Sequence, residues 1–250
     1  MVTAPLVDYL LRRPENHVTV ASVFLHEAEK LAKGRPRTLP LELNISEDYE
    51  TLSKTVSQHD LVISMVPAVL HAPAVRAAIQ HGKNVVTASY TSDEIAALDE
   101  AAKKSGITVL MEAGLDPGID HMSACKLIDG IHDRGGKVLS FSSMCGGLPA
   151  PEAANNPLGY KFSWSPRGVL TAARNAAKFL QDGKTVDVPG EKLLLAAKPY
   201  RLNAAFSLEV LPNRNSLPYS DKYRIPEVQT MMRGTLRYQV TFNCSSFQIQ

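Results

Sequence analysis

Short apolar runs alternate with amphipathic stretches over roughly the first half of the chain. The runs contain few polar residues, which predicts strands buried on both faces. The stretches between them repeat apolar residues at helical spacing, and two of them stop at Gly34 and Gly82. This alternation predicts a parallel sheet with helices on both sides. We expect strands at 18–21, 39–43, 61–65, 84–88 and 107–111, and helices at 2–11, 25–32, 49–56, 73–80 and from Ser92, its expected N-cap.

The pattern changes after Gly118. A helix is expected at 121–131 and a long strand at 137–145, followed by a segment rich in Gly and Pro. Ser165 and Pro166 have the residue types of an N-cap and a first-turn proline, and we expect their helix to bury a face that extends to Leu180. We therefore predict an α/β protein: residues 1–121 form a Rossmann-type, doubly wound domain, and residues 122–239 form an α+β domain with an antiparallel sheet.

Composition narrows the functional class without assigning it. The net charge of +2 is too mild to indicate nucleic acid or an anionic membrane as a partner. No apolar run is long enough for a membrane span, and the N-terminus does not resemble a signal peptide. The three cysteines are widely spaced and form no CxxC pair, so we expect no disulfide framework and no metal site. This cysteine usage suits the cytoplasm, and a homodimer is a possible assembly.

The glycine-rich loop of dinucleotide-binding domains is missing from the sequence. Such domains open with a strand and G-x-G-x-x-G before the first helix, whereas this sequence begins where that helix is expected and contains no G-x-G-x-x-G. Spacing alone leaves two interpretations open. Either the first strand and its loop have been lost, or the parallel sheet never bound a dinucleotide.

Six segments share the order and spacing of one enzyme family. They are 85–90 (VVTASY), 114–121 (GLDPGIDH), 145–152 (CGGLPAPE), 156–165 (NPLGYKFSWS), 212–214 (PNR) and 233–239 (RGTLRYQ). On these motifs the chain resembles the saccharopine reductases, that is, the NADP-dependent, L-glutamate-forming saccharopine dehydrogenases. The likeness runs from about Val2 to Gln239.

The resemblance implies an oxidoreductase of lysine metabolism. In that family NADPH reduces the imine formed from glutamate and α-aminoadipate semialdehyde, which gives saccharopine. The family fold is a Rossmann domain with an inserted substrate domain, so the resemblance implies a chain truncated at both ends. Two further departures are Val23, where the family has an arginine for the 2′-phosphate, and residues 240–250, which look like an unrelated tail.

By resemblance, Asp116 and Tyr90 are the candidate catalytic residues, and Ser89 is expected to bind substrate with them. All three follow predicted strands at the sheet edge where ligands bind in open α/β folds. A carboxylate there could bind the substrate ammonium group and assist proton transfer to nitrogen, and the two hydroxyl groups could form hydrogen bonds with the substrate. The alternatives are an Asp-Pro-Gly turn and an ordinary strand-to-helix turn.

The resemblance also places Arg214, Thr235, Leu236 and Arg237 around the substrate. Saccharopine carries three carboxylates, and the planar guanidinium group binds a carboxylate through two parallel hydrogen bonds. Arg233 could serve the same purpose or form a surface salt bridge.

Contacts to NADP are expected at the ends of several strands and in two loops. The residues are Ser22, Asn44, Ile45, Val66, Pro67, Leu115, Asp116, Pro117 and Ser165. No Asp or Glu ends the second strand of the family fold, at Ser22 and Val23, and this absence favours NADP over NAD. Lys30 or Lys33 could replace the missing arginine.

Three lone side chains have structural alternatives. Cys145 is expected to be a buried structural thiol, and His71 and His121 to be capping or surface residues. Two rival hypotheses remain beside saccharopine reduction: an inactive truncated chain and a related imine reductase of polyamine metabolism. The arginine set and 156–165 favour saccharopine.

Overall fold

The computed structural model describes residues 2–163 and 166–239. The chain divides into two compact units, Met1–Ile119 and Asp120–Gln250. Two expectations fall outside the described residues. They are Ser165 as a helix cap that contacts the cofactor, and residues 240–250 as an unrelated tail.

Helices and strands alternate in the first unit as predicted. The helices are α1 (Thr3–Leu10), α2 (Leu25–Ala32), α3 (Tyr49–Ser57), α4 (His71–His81), α5 (Asp93–Ala96) and α6 (Asp99–Lys104), with a 3-10 turn at Ala68–Leu70. The strands are β1 (Val18–Ser22), β2 (Thr38–Glu42), β3 (Leu61–Ser64), β4 (Asn84–Thr87) and β5 (Val109–Leu110). The helix expected from Ser92 is broken into α5 and α6, although Ser92 is its N-cap and its Oγ accepts from the amide of Ile95 at 3.3 Å.

The strands of this unit form two separate parallel sheets, β1-β2 and β3-β4-β5. In a doubly wound domain of order 3-2-1-4-5-6 the first strand lies between the second and the fourth. Those two positions correspond here to β1 and β3, each of which pairs along one edge only within the described chain. No strand precedes Val18 among residues 2–17. The predicted parallel Rossmann-type sheet without its first strand is therefore confirmed.

Apolar burial holds each sheet against its helices. One cluster joins Leu52 of α3, Val75 of α4 and Val85 of β4, and a smaller one joins Val7, Val20 and Ala28. A hydrogen bond of 2.7 Å between His59 Nε2, just before β3, and Thr19 Oγ1 of β1 links the two sheets. Side chains therefore connect the sheets where backbone pairing is interrupted.

The second unit is built on one mixed sheet. Its helices are α7 (Ile119–His132), α8 (Pro166–Ala172) and α9 (Tyr219–Lys222), with 3-10 turns at Pro151–Ala153, Gly190–Lys192 and Leu194–Ala196. Its strands are β6 (Ser140–Cys145), β7 (Ala177–Gln181), β8 (Lys184–Val188), β9 (Lys198–Tyr200), β10 (Leu208–Pro212) and β11 (Thr230–Tyr238).

Two expectations for this unit were wrong in detail. Within the described part the strand order is β8-β7-β11-β10-β9, and β6 pairs with β11 in parallel, so the sheet is not purely antiparallel. The helix expected to bury a face as far as Leu180 ends at Ala172, and 177–181 is strand β7. The cause is a hairpin: Asp182 and Gly183 both have positive φ, as the two central residues of a type I′ turn require, and they join β7 to β8.

Candidate functional site

The carboxyl end of β4 and the loop after β5 bring the predicted catalytic pair together. Tyr90 follows β4, and its hydroxyl group donates to Oδ1 of Asp116 at 3.0 Å. Both side chains remain accessible, since Tyr90 is 37% exposed and Asp116 is half-buried. A carboxylate and a phenol in contact can hold and transfer a proton at a shared edge of the sheet.

The loop that carries Asp116 is tightly closed on itself. The amide of Gly114 donates to the carbonyl of Pro117 at 2.9 Å, and the amide of Ile119 returns to the carbonyl of Gly114. Gly118 has φ +150°, and a Cβ there would lie only 2.0 Å from the oxygen of Gly114. Glycine is therefore required at this position, and the closed loop fixes the backbone on both sides of Asp116.

A buried histidine connects the ends of two strands at the same edge of the sheet. His71, the first residue of α4, is only 1% exposed. Its Nδ1 lies 2.7 Å from Oγ of Ser64, which ends β3, and its Nε2 lies 2.7 Å from Oγ of Ser89. Burial lowers the pKa of His71, because the charged form loses its hydration. The expectation that His71 is a capping or surface residue was wrong.

The other residues predicted to bind the cofactor end or follow strands of the same unit. Ser22 ends β1, Asn44 and Ile45 follow β2, and Val66 and Pro67 follow β3. Asn44 Oδ1 accepts from the amide of Ser46 at 3.1 Å, which shapes the turn, and Ile45 packs partly against the core. The carboxyl ends of these parallel strands form the edge at which open α/β sheets bind ligands.

Leu115 and Pro117 flank the candidate carboxylate of Asp116. Leu115 is 63% exposed and Pro117 is buried. The exposed leucine therefore offers an apolar surface to a planar ring, whereas Pro117 supports the loop from within.

The fit of this edge to a dinucleotide differs between the ribose and its phosphate. Ser22 Oγ donates to Oε2 of Glu27 at 2.8 Å, so a carboxylate stands at the end of β1. β1 occupies the position of the second strand in dinucleotide-binding domains, where a carboxylate at the strand end accepts from the ribose 2′-OH. The arrangement fits a dinucleotide ribose, but it would place a negative charge next to a 2′-phosphate.

In the second unit the structure gives Arg237 a partly buried site of its own. Its Nη1 donates to the carbonyl of Leu236 at 2.7 Å, and its Cζ lies 5.0 Å from the ring centre of Tyr160. Burial lowers the pKa of Arg237, with smaller opposing contributions from Tyr160 and Cys145. Among residues 2–163 and 166–239 no carboxylate forms an ion pair with this guanidinium group. A desolvated cation in this position favours an anionic ligand.

The remaining substrate-binding candidates of this unit lie around β11. Thr235 pairs in register with Cys145 of β6 and with Leu211 of β10, and Leu236 pairs with Val210. Leu236 also packs closely on the neighbouring loop, since a Cβ at Gly146 would meet its carbonyl oxygen at 2.6 Å. These residues therefore belong to one rigid patch of the sheet that also holds Arg237.

Arg214 and Arg233 occupy different environments. Arg214 follows β10 with φ +49°, is exposed, and its carbonyl accepts from the amide of Lys178 at 2.8 Å. Arg233 is 6% exposed and donates to Asp120 Oδ2 and to the hydroxyl group of Tyr219, both at 2.6 Å. Arg233 therefore belongs to a buried ion pair, and the alternative of a surface salt bridge was wrong.

Sequence reasoning missed two polar side chains near these residues. His71 appeared as a lone histidine, and its position at the start of a helix does not indicate which way its side chain points. Tyr160 is 6% exposed, and its hydroxyl group forms no hydrogen bond within the described residues. Nothing in its local sequence indicates that it packs under Arg237.

The described residues contain neither a helix suited to span a membrane nor a group of side chains suited to hold a metal ion. None of the helices there is both long enough and apolar enough to cross a membrane. No group of three or more His, Cys, Asp or Glu side chains there could hold a metal ion.

Two family models together match nearly the whole chain. The saccharopine dehydrogenase NADP binding domain matches residues 1–110, and the saccharopine dehydrogenase C-terminal domain matches residues 114–249. The chain is 50% identical over 238 residues to a saccharopine dehydrogenase (NADP(+), L-glutamate-forming) from Schizosaccharomyces pombe, covering 95% of this chain and 53% of the relative. It is 49% identical over 226 residues to an alpha-aminoadipic semialdehyde synthase from Arabidopsis thaliana, covering 89% of this chain and 21% of that protein.

A solved structure supports the same relationship. The apo saccharopine dehydrogenase (L-Glu forming) from Saccharomyces cerevisiae superimposes with a TM-score of 0.89 at 46% identity, over 96% of this chain and 54% of that one. The chain thus spans about half the length of the curated fungal relatives it matches, 53% and 52% for two of them.

Proposed function

This chain belongs to the saccharopine dehydrogenase family, and we propose that it interconverts saccharopine with L-glutamate and α-aminoadipate semialdehyde, with NADP(H) as cofactor. Relatives that carry this activity in their names are 50% identical over 95% of the chain. The observation that carries the proposal is the contact between Tyr90 and Asp116 at the carboxyl end of a parallel sheet.

The proposed chemistry concerns one carbon–nitrogen bond. NADP(H), when bound, supplies the hydride for the imine carbon or accepts it from saccharopine. Asp116 binds the secondary ammonium group of saccharopine and takes up its proton in the oxidative direction, and water then hydrolyses the resulting imine to L-glutamate and α-aminoadipate semialdehyde. Tyr90, which donates to the same carboxylate, orients it toward the nitrogen. The adenosine end of the cofactor would be held by Ser22, Asn44 and Ile45, and the part nearer the nicotinamide by Val66, Pro67 and Leu115.

Substrate selection follows from the carboxylates of saccharopine. We assign one of them to Arg237, whose guanidinium group is partly buried and forms no ion pair with another described residue. A bidentate contact there fixes the orientation of the substrate as well as its affinity. Arg214 and Thr235 complete the proposed contacts. Because saccharopine carries three carboxylates, this set of cations favours it over a polyamine precursor.

The proposal is tested by following saccharopine-dependent reduction of NADP. NAD is assayed as the alternative cofactor, and polyamine precursors as the alternative substrates. The sequence contains no G-x-G-x-x-G, so we expect slow turnover from this chain alone. A second protein should therefore carry the strand, the glycine loop and the C-terminal continuation of the S. cerevisiae relative. Reduction of NADP with saccharopine supports the proposal, and activity only with a polyamine precursor would replace it.

Location and assembly complete the proposal. We propose a cytoplasmic location because the three cysteines are widely spaced and form no CxxC pair. We propose small-molecule substrates without nucleic acid or membrane partners because the net charge is only +2. A homodimer is the assembly to test, by light scattering after gel filtration.

A further inference from the structure

Ser64, His71 and Ser89 form a chain of hydrogen bonds in which the donors and acceptors depend on the tautomer of His71. Both contacts are 2.7 Å long, and His71 is almost completely buried. Neutral imidazole has one nitrogen that donates and one that accepts, and each serine hydroxyl group has a single proton to give. Only two arrangements of the protons therefore satisfy both contacts.

In the first arrangement the chain of donors points outward. The hydroxyl group of Ser64 donates to Nδ1 of His71, Nε2–H donates to Oγ of Ser89, and the Ser89 proton is left for a ligand. In the second arrangement every bond is reversed, so that Ser89 donates inward to Nε2 and offers only lone pairs outward. The first arrangement suits an acceptor such as a carboxylate, and the second suits a donor such as an ammonium group.

We propose that His71 is a positioning residue that holds the Ser89 hydroxyl proton outward, toward a carboxylate of the substrate. The proposal rests on the proposed function, in which Ser89 touches saccharopine, and it goes further by assigning a carboxylate rather than the amine to this hydroxyl group. The amine already has Asp116, whose carboxylate contacts Tyr90. With the amine assigned to Asp116, the Ser89 hydroxyl group is assigned to a carboxylate of the substrate.

The location of His71 supports a role in preorganisation. Ser64 is 5% exposed and ends β3, while Ser89 is half-buried just after β4, so the relay spans two adjacent parallel strands. Burial favours the neutral ring, which the relay requires, because a charged ring would donate from both nitrogens. A rigid element therefore fixes a hydroxyl group that would otherwise rotate freely.

The tautomer of His71 decides the proposal without any assay of activity. Two-dimensional ¹⁵N–¹H spectra of the full chain, with ¹⁵N-labelled histidine and His71→Gln for assignment, report which nitrogen carries the proton. We expect a neutral ring protonated at Nε2 at neutral pH. A ring protonated at Nδ1, or a doubly protonated ring, would overturn the proposal.

Binding measurements then test whether the relay acts through Ser89. His71→Gln retains a side-chain amide near the position of Nε2, whereas His71→Asn is too short to reach Ser89. We expect His71→Asn to weaken saccharopine binding in calorimetry by roughly 3- to 10-fold, the effect of one hydrogen bond, and His71→Gln to restore most of it. In a Ser89→Ala background His71→Asn should have no further effect.

The outcomes separate the two proposals. Equal loss in both His71 variants, persisting without the Ser89 hydroxyl group, would mean that His71 only supports the fold and would refute positioning. If the unsubstituted chain bound no saccharopine, the proposed function would fail, while the tautomer would still decide the state of the relay.

Discussion

Replacing Arg237 by alanine should weaken saccharopine binding while leaving the fold intact. The guanidinium group is partly buried, stacks on Tyr160 at 5.0 Å and forms no ion pair with another described residue. A hydrogen bond to a charged group contributes about 1.5–3 kcal/mol, so losing it should raise Kd roughly 10- to 150-fold. Burial disfavours the charged form of Arg237, so losing the charge should offset part of the packing lost on Tyr160, and the thermal midpoint should change little.

The assay is isothermal calorimetry with saccharopine, alongside thermal unfolding followed by circular dichroism. Arg237→Lys keeps the charge but loses the planar fork, so its Kd should fall between those of the parent and Arg237→Ala. Arg201→Ala is the matched control, since Arg201 is an exposed arginine of the same unit. Unchanged saccharopine affinity in Arg237→Ala would refute the assignment, and so would a loss of affinity that merely accompanied unfolding.

Three further predictions concern other residues. Arg233→Met should destabilise the fold by about 3–5 kcal/mol in urea unfolding, because it leaves the carboxylate of Asp120 buried without this cation, and the double variant Arg233→Met/Asp120→Leu should recover most of the loss. Glu27→Gln should improve binding of NADPH relative to NADH in fluorescence titrations, because it removes a negative charge at the end of β1; an unchanged ratio would show that the 2′-phosphate lies elsewhere. The hydrogen bond from the amide of Val138 is the main cause that lowers the pKa of Glu227 to about 2. The ionised carboxylate should therefore stabilise the fold fully above about pH 4.5, and this contribution should disappear as the pH falls toward 2. Glu227→Gln should flatten that part of the profile of unfolding free energy against pH.

The first unit could be predicted closely because its signals are local. Apolar runs such as 61–65 and 84–88 are short, continuous and bounded by turns, which is typical of strands in a parallel sheet. Gly82 ends α4 with a positive φ, as its position after the apolar repeat predicted. The separation between β1 and β3 followed from the missing glycine loop together with the strand order of the doubly wound fold.

The second unit was harder because its pairing depends on contacts far apart in sequence. Ala177 and Leu180 also fit a helical repeat, so the apolar pattern predicted a helix where the Asp182–Gly183 hairpin makes this segment a strand. The parallel pairing of β6 with β11 joins residues about ninety positions apart, and no local pattern indicates it. Apolar periodicity identifies elements, but it does not select partners among them.

Some residues of the candidate site could also be predicted from the sequence, and others could not. Strand ends and the resemblance located Ser89, Tyr90 and Asp116, and the structure places the last two in contact. His71 could not be recognised, because a histidine at the start of a helix has the same sequence appearance whether it caps, faces solvent or bridges two strands. Its role depends on Ser64 and Ser89 lying on adjacent strands, which only the folded sheet shows.

The central claim is most directly tested by saccharopine-dependent reduction of NADP in the protein that carries the added strand, glycine loop and C-terminal continuation. The account predicts turnover with saccharopine, little with polyamine precursors, and at least a 100-fold loss in Asp116→Asn, roughly the contribution of one general acid or base. Circular dichroism must show that this protein and its Asp116→Asn variant are both folded. A folded protein without saccharopine-dependent activity, or one whose rate is unchanged in Asp116→Asn, would contradict the account.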